Sequence, residues 1–304
     1  MARRDYVLAL LVVIIWGASF TAIRLGLDGL PPMLLAALRF LLVAFPAVLF
    51  VPRPATRTRY WIAYGAAVGI GQFGCLFYAM HIGMPAGVAS VVMQSQAFFT
   101  FMLAAVLLQE SVTGSQLAGL GIAALGLYLV GHSNGLTEIH SVPLVAFLLS
   151  LAAAASWGLS NIVVKQMSAV SNSQRTLSMF SVLVWSSLIP PLPLLLLALL
   201  LDTPATIFES VTSLEGISLF SLVYLAFGAT LFGFGAWSEL ISKYSPNVVA
   251  PLSLLVPVTG LLTARIVLDE RLSVTQWVGC AVVILGLGVT TFGFAQIQKW
   301  LRFG

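Results

Sequence analysis

Ten runs of apolar sequence, most of them about twenty residues long, decide what this chain can become. They fall at roughly 6–25, 32–52, 60–81, 85–108, 116–133, 142–165, 176–201, 216–241, 246–268 and 275–295. About 20 apolar residues in an α-helix cross the ~30 Å hydrocarbon core of a bilayer. A spanning segment must satisfy its own backbone hydrogen bonds, which leaves helices and closed barrels. Barrels read as short alternating strands, not as long continuous runs. The runs therefore predict an all-α integral membrane protein with ten transmembrane helices. Charge agrees with this: only 8% of the 304 residues are charged, against about 25% in a soluble domain.

The connections are short. Pro31-Pro32, Pro52-Arg53-Pro54, Gly83 with Pro85, and Ser245-Pro246-Asn247 separate neighbouring runs. The longest loops lie near 134–141 and 202–215, with no room for a soluble domain. The first run superficially resembles a leader behind Arg3 and Arg4, but it is long enough to span and is read as part of the fold.

Orientation follows from the basic residues. With the N-terminus in the cytoplasm, Arg3, Arg4, Arg53, Arg57, Arg59, Lys165, Arg175, Lys243, Lys299 and Arg302 fall inside. Only Arg24 and Arg271 fall outside, while Arg39 and Arg265 lie within spans. This asymmetry predicts a multi-pass inner (plasma) membrane protein with both termini cytoplasmic. It also accounts for the net charge of +4, so nothing points to a nucleic-acid partner. Cys75 and Cys280 sit inside apolar runs and read as small buried hydrophobes. No disulfide framework, metal site or cofactor is implied.

The chain also repeats itself. Trp16-Gly17-Ala18-Ser19, followed by Arg24, returns as Trp157-Gly158-Leu159-Ser160, followed by Lys165, at an offset of 141 residues. Further on, Glu110, Thr113, Gln116, Gly119 and Gly126 match Glu270, Ser273, Gln276, Gly279 and Gly286 at an offset of 160. The repeats divide the chain into residues 1–135 and 142–295, with five spans each. An odd number of spans turns the second half upside down. Two inverted halves are a transporter signature, with the substrate site at their interface near the midplane.

The five-plus-five layout resembles the EamA branch of the drug/metabolite transporter superfamily. So do Trp16-Gly17 with its copy, Arg39-Phe40 after Pro32, Met84-Pro85-Ala86-Gly87 opening the fourth span, and Leu268-Asp269-Glu270 closing the ninth. Within that branch, several stretches look like bacterial exporters of O-acetylserine and cysteine. They are Leu8-Ala9…Trp16-Gly17, the run 40–46, Gln94-Ser95-Gln96-Ala97-Phe98-Phe99-Thr100, and the run 250–258. The resemblance covers the whole chain and implies export of amino acids or related small metabolites. Its motifs discriminate the family better than the substrate. Exporters of other small amphipathic compounds or drugs share the pattern.

Candidate substrate-binding residues are the polar and aromatic side chains at membrane depth, which must face protein or a wet cavity. Trp16 lies mid-span, and its indole needs a partner away from the interface; Ser19 shares its face. Trp157, Ser160 and Asn161 repeat that stripe. Packing of small residues between helices is the alternative reading for Gly17, Ser19 and Ser160. Gln94 and Gln96 are about 200° apart on an α-helix. One is expected to face the substrate path and the other a neighbouring helix. Pro257 frees a carbonyl four residues back, that of Ser253, as an acceptor for an ammonium group. Gln72 and Tyr78 in the third span, and Tyr224 and Trp237 in the eighth, are further candidates. Arg39 is a charge inside a span without an acidic partner at depth. A structural anchor is favoured for it, with carboxylate binding as the second reading.

Glu110 and Glu270 end matched spans and are read as acids placed against the dipole of the following helix. No carboxylate lies at the membrane centre, so no proton relay is evident. There is no phosphate-binding Gly-Lys-Ser/Thr element for ATP. The three histidines lie at span ends or in a loop, which argues against an embedded enzyme. Nothing resembles an ion filter, although a channel-like uniporter stays open, as do monomer and homodimer. The expected partners are a small-molecule substrate and the lipid bilayer.

Overall fold

The computed structural model describes residues 1–110, 113–131, 142–170, 178–244 and 249–303. The expected break at Ser245-Pro246-Asn247, the loop at 134–141, and His132, Glu138, His140 and Arg175 lie outside the described residues. Every regular element among the described residues is helical.

Among the described residues, eight helices are long and apolar enough to cross a membrane: α1 (Arg3–Gly26), α2 (Pro32–Leu49), α3 (Thr58–His81), α4 (Ala86–Leu107), α6 (Leu144–Ala169), α7 (Met179–Leu201), α8 (Gly216–Ile241) and α10 (Val274–Gly293). At the fifth and ninth expected spans stand two shorter apolar helices, α5 (Gly114–Val130) and α9 (Leu252–Val267). The outer faces carry exposed aliphatic side chains such as Leu144, Leu200 and Ile266, as a lipid-facing surface requires. The 202–215 loop is partly structured, since Pro204–Thr212 forms a short helix capped by the Thr203 hydroxyl.

Local chemistry sets the helix ends. Pro32 opens α2, and Pro85 stands just before α4. α5 and α10 begin with matching capping boxes. Gln116 Oε1 accepts from the Thr113 N–H at 2.9 Å, and Gln276 Oε1 accepts from the Ser273 N–H at 2.9 Å. In return the Thr113 and Ser273 hydroxyls accept from the Gln116 and Gln276 N–H groups. α4 and α9 stop alike. Gln109 (φ 56°) and Asp269 (φ 50°) take the left-handed conformation. The N–H groups of Glu110 and Glu270 then return to the carbonyls of Ala104 and Ala264, each at 3.3 Å.

Close packing explains the repeated glycines. Added side chains on Gly119 and Gly286 would each meet the other's carbonyl oxygen at 2.6 Å. On Gly126 and Gly279 the corresponding distances are 2.7 and 2.9 Å. α5 and α10 therefore pack backbone to backbone. Small residues drive helix association in lipid, where apolar burial gives little. The Trp-Gly glycines work in the same way. Gly17 of α1 lies against Thr259 and Gly260 of α9, and Gly158 of α6 lies against Phe99 and Thr100 of α4.

Besides a short 3₁₀ turn at the end of α2, Ala47–Leu49, four segments among the described residues depart from α-helical winding. Ala66–Gly74 in α3 and Tyr224–Phe232 in α8 are π-helical. Met93–Ser95 in α4 and Ala250–Leu255 leading into α9 are 3₁₀. Such departures re-aim side chains and recur at functional positions.

Candidate functional site

The irregular segments surround one cavity of about 270 Å³. Its walls come from α1, α2, α3, α4, α6, α8 and the start of α9. Nine of the residues expected from the sequence line it: Trp16, Ser19, Arg39, Gln72, Gln94, Gln96, Trp157, Trp237 and Ser253. Tyr78 and Asn161 are not among the lining residues. The Tyr78 ring instead lies 6.1 Å from that of His81.

The partner of Trp16 is not Ser19. Its Nε1 donates to the Ala229 carbonyl of α8 at 2.9 Å, and the Ser19 hydroxyl donates to the Trp16 carbonyl at 2.5 Å. The indole also packs against Phe234 and Trp237, with ring centroids 5.3 and 5.1 Å away. Gly233 makes room, because a Cβ there would come within 2.5 Å of Trp16 Nε1. On the other side Ser160 donates to the Trp157 carbonyl at 2.7 Å, repeating the Ser19 arrangement.

Gln94 and Gln96 both line the cavity. The expectation that only one would do so assumed α-helical winding throughout. The 3₁₀ turn at Met93–Ser95 advances about 120° per residue rather than 100°. Residues two apart then diverge less. Gln96 is also held from behind. Asn161 Nδ2 donates to Gln96 Oε1 at 2.8 Å and to Thr100 Oγ1 at 3.0 Å. Asn161 thus orients a lining side chain from α6.

The carbonyl of Ser253 is not free, contrary to the proline argument. It accepts from the Val256 N–H in the 3₁₀ segment. Tyr224 is likewise engaged outside the cavity, its hydroxyl donating to the Ile15 carbonyl at 2.8 Å.

Arg39 is 3% exposed. Its Nε and Nη2 donate to Thr230 Oγ1 at 3.3 and 2.9 Å, and that hydroxyl passes its own proton to the Leu225 carbonyl at 2.7 Å. The guanidinium carbon lies 3.8 Å from the centroid of Phe73, with Phe40 and Phe77 farther off. Nη1 has no hydrogen-bond partner among the described residues. The Thr230 hydroxyl, on another helix, makes the hydrogen bonds that Arg39 has among the described residues. A cation at mid-helix carries an insertion cost of about 2.5–3.5 kcal/mol. A neutral hydroxyl and aromatic faces offset part of it.

The matched charged ends are engaged differently. Glu270 does not serve the helix that follows it. Its carboxylate accepts from the N–H groups of Ala86 and Gly87, at 2.6 and 2.9 Å, and so caps α4. Its counterpart Glu110 pairs with Lys165. Arg24, the counterpart of Lys165, pairs with Asp28 at 2.6 Å.

Sequence reasoning missed Phe20, Phe73 and Phe234 as lining residues. Phenylalanine in an apolar helix carries no signal of its own. The match of Thr113 and Gln116 with Ser273 and Gln276 was visible in the sequence, and their capping boxes, seen in the structure, explain part of the repeat.

The sequence profile of the EamA-like transporter family matches residues 4–131 and again 144–292. A "probable amino-acid metabolite efflux pump" of Escherichia coli K12 is 46% identical over 304 residues, covering 100% of both chains. A protein of Salmonella typhimurium with the same description is 45% identical over 99% of each chain. A "probable terminal-alkyne amino-acid exporter" of Streptantibioticus cattleyicolor is 28% identical, over 91% of this chain and 90% of that one. A crystal structure 17% identical in sequence superposes with a TM-score of 0.63 over 98% of this chain and 99% of that one, a likeness of fold alone. With the family profile covering nearly all of its length, the chain belongs to the EamA-like transporter family.

Proposed function

We propose that this protein is a secondary transporter that exports amino acids or related small metabolites by alternating access. Its two five-helix halves, residues 1–135 and 142–295, are oppositely oriented, and both termini are cytoplasmic. The cavity carries this reading. It sits at mid-helix depth, draws walls from both halves, and combines a few polar groups with indole and phenyl faces. At about 270 Å³ it lies below the usual range of about 300–1,000 Å³ for ligand pockets. A small metabolite suits it better than a drug-sized compound. Trp16, Trp157, Gln72, Gln94 and Gln96 contact the substrate, and Asn161 positions Gln96. The description of the 46% identical relative as an amino-acid metabolite efflux pump supports the substrate class.

Paired irregularities support the duplication. The π segments, the 3₁₀ segments of α4 and α9, the left-handed turns, the capping boxes and the glycine contacts form pairs at matching places in the two halves. The ends support alternation. Glu270 grips the start of α4 while Glu110 is engaged by Lys165. Alternation exchanges these arrangements: Glu270 releases α4, and Glu110 leaves Lys165.

Efflux from overexpressing cells tests the reading, with a fluorescent reporter active only in the cytoplasm fused to the C-terminus. The expected result is a bright reporter and increased efflux of L-cysteine or other amino acids. Efflux should be lost in Trp16→Ala at unchanged membrane level. A dark reporter would overturn the orientation, and unchanged efflux across the amino-acid panel would overturn the substrate class.

A further inference from the structure

We infer that Arg39 is the carboxylate-binding residue of the cavity, so that the protein carries its substrates as free carboxylates and discriminates against their esters and decarboxylated amines. The inference rests on the amino-acid reading and narrows it to one recognised group.

Three observations converge on this residue. Arg39 lines the cavity, yet it is buried and faces no carboxylate there. The described acidic residues stand at helix ends and in loops, and none is a lining residue. The guanidinium fork is only half used. Thr230 Oγ1 takes the edge formed by Nε and Nη2, whereas Nη1 is buried, closed off from water, and has no partner among the described residues. The end formed by Nη1 and the second Nη2 proton is the geometry that receives a carboxylate through two parallel bonds. Finally, the plane is held before any ligand arrives. Phe73 stacks at 3.8 Å, and Thr230 is itself tied to the Leu225 carbonyl at 2.7 Å in the π segment of α8. A pre-oriented donor loses little freedom on binding, which favours recognition of a planar anion.

The remaining lining fits the other end of a zwitterion. The amide oxygen of Gln94 and the indole faces of Trp16, Trp157 and Trp237 suit an ammonium group. A substrate carboxylate supplies the counter-charge that the fold withholds from Arg39. The charge is then a device for selection and not merely an anchor.

The experiment is calorimetric titration of the purified full chain in detergent with L-cysteine, O-acetyl-L-serine and L-leucine, each set against its methyl ester, and with cysteamine. Charge-assisted bonds to a buried guanidinium predict that at least one free acid binds on the order of tenfold to a hundredfold more tightly than its ester. Cysteamine should bind as weakly as an ester. In Arg39→Gln the acid should weaken to the level of the ester while the ester is unchanged, and Arg39→Lys should restore part of the gap. Equal binding of acids and esters by the wild type overturns the role of Arg39 and leaves the amino-acid reading standing. So does an Arg39→Gln protein that keeps the full preference. Binding of no acid and no ester overturns both readings. The wild-type comparison decides the question even where a variant fails to fold.

Discussion

Asn161 and Gln96 stand 65 residues apart in the chain and 2.8 Å apart at their side-chain tips. Both are polar groups in apolar helices, and that rarity made them legible. Their division of labour was not, because it depends on which helix brings a partner. A single interhelical hydrogen bond in a membrane is worth about 0.6 kcal/mol on average. Asn161→Ala should therefore lower stability in detergent by only about 1 kcal/mol. It should reduce efflux severalfold, since Gln96 loses the group that orients it. A large fall in melting temperature with normal efflux per folded molecule would reverse that assignment. Phe73 shows the opposite case. It stacks on Arg39 at the cavity wall, yet nothing about its residue type marks it out among the 19 phenylalanines.

Helices show a similar division. The positions of α1 to α10 follow the apolar runs, and Pro32, Pro85 and the Ser/Thr-x-x-Gln boxes mark several of their starts. The π and 3₁₀ segments were not legible, since no residue pattern announces a change of winding. The glycines fall between these cases. Their repetition was visible, but only packing separates Gly279, whose Cβ would meet the Gly126 carbonyl oxygen at 2.9 Å, from Gly121, with nothing within 4 Å. Gly279→Ala should destabilise by about 1–3 kcal/mol through overpacking that a main-chain carbonyl cannot relieve by rotating away. Gly121→Ala should be neutral or stabilising, by up to about 1 kcal/mol of helix propensity. Thermal unfolding in detergent compares the two. Equal effects would mean that the α5–α10 contact does not constrain this fold.

At the scale of the whole molecule, the acidic ends link the halves. Glu270 and Ala86 are 184 positions apart in sequence and joined at 2.6 Å. The pairing of Glu110 with Lys165 is the contact of the matching residue. If these contacts alternate, Glu270→Gln and Glu110→Gln should each slow transport turnover while leaving cavity affinity within about twofold, because neither residue lines the cavity. Turnover in proteoliposomes beside equilibrium binding separates these quantities, and a loss of affinity without loss of turnover would count against a gating role. The sequence by itself determined the membrane class, the helical spans, the charge asymmetry and the family. Hydropathy is a property of consecutive residues, and the bilayer reads it along the chain. Only the tertiary structure decided that Trp16 bonds Ala229, that Glu270 caps α4, and that Arg39, a cavity-lining residue, keeps one buried nitrogen unpaired among the described residues. Each of those facts depends on which face a helix turns inward, and local winding and the approach of distant glycines set that face.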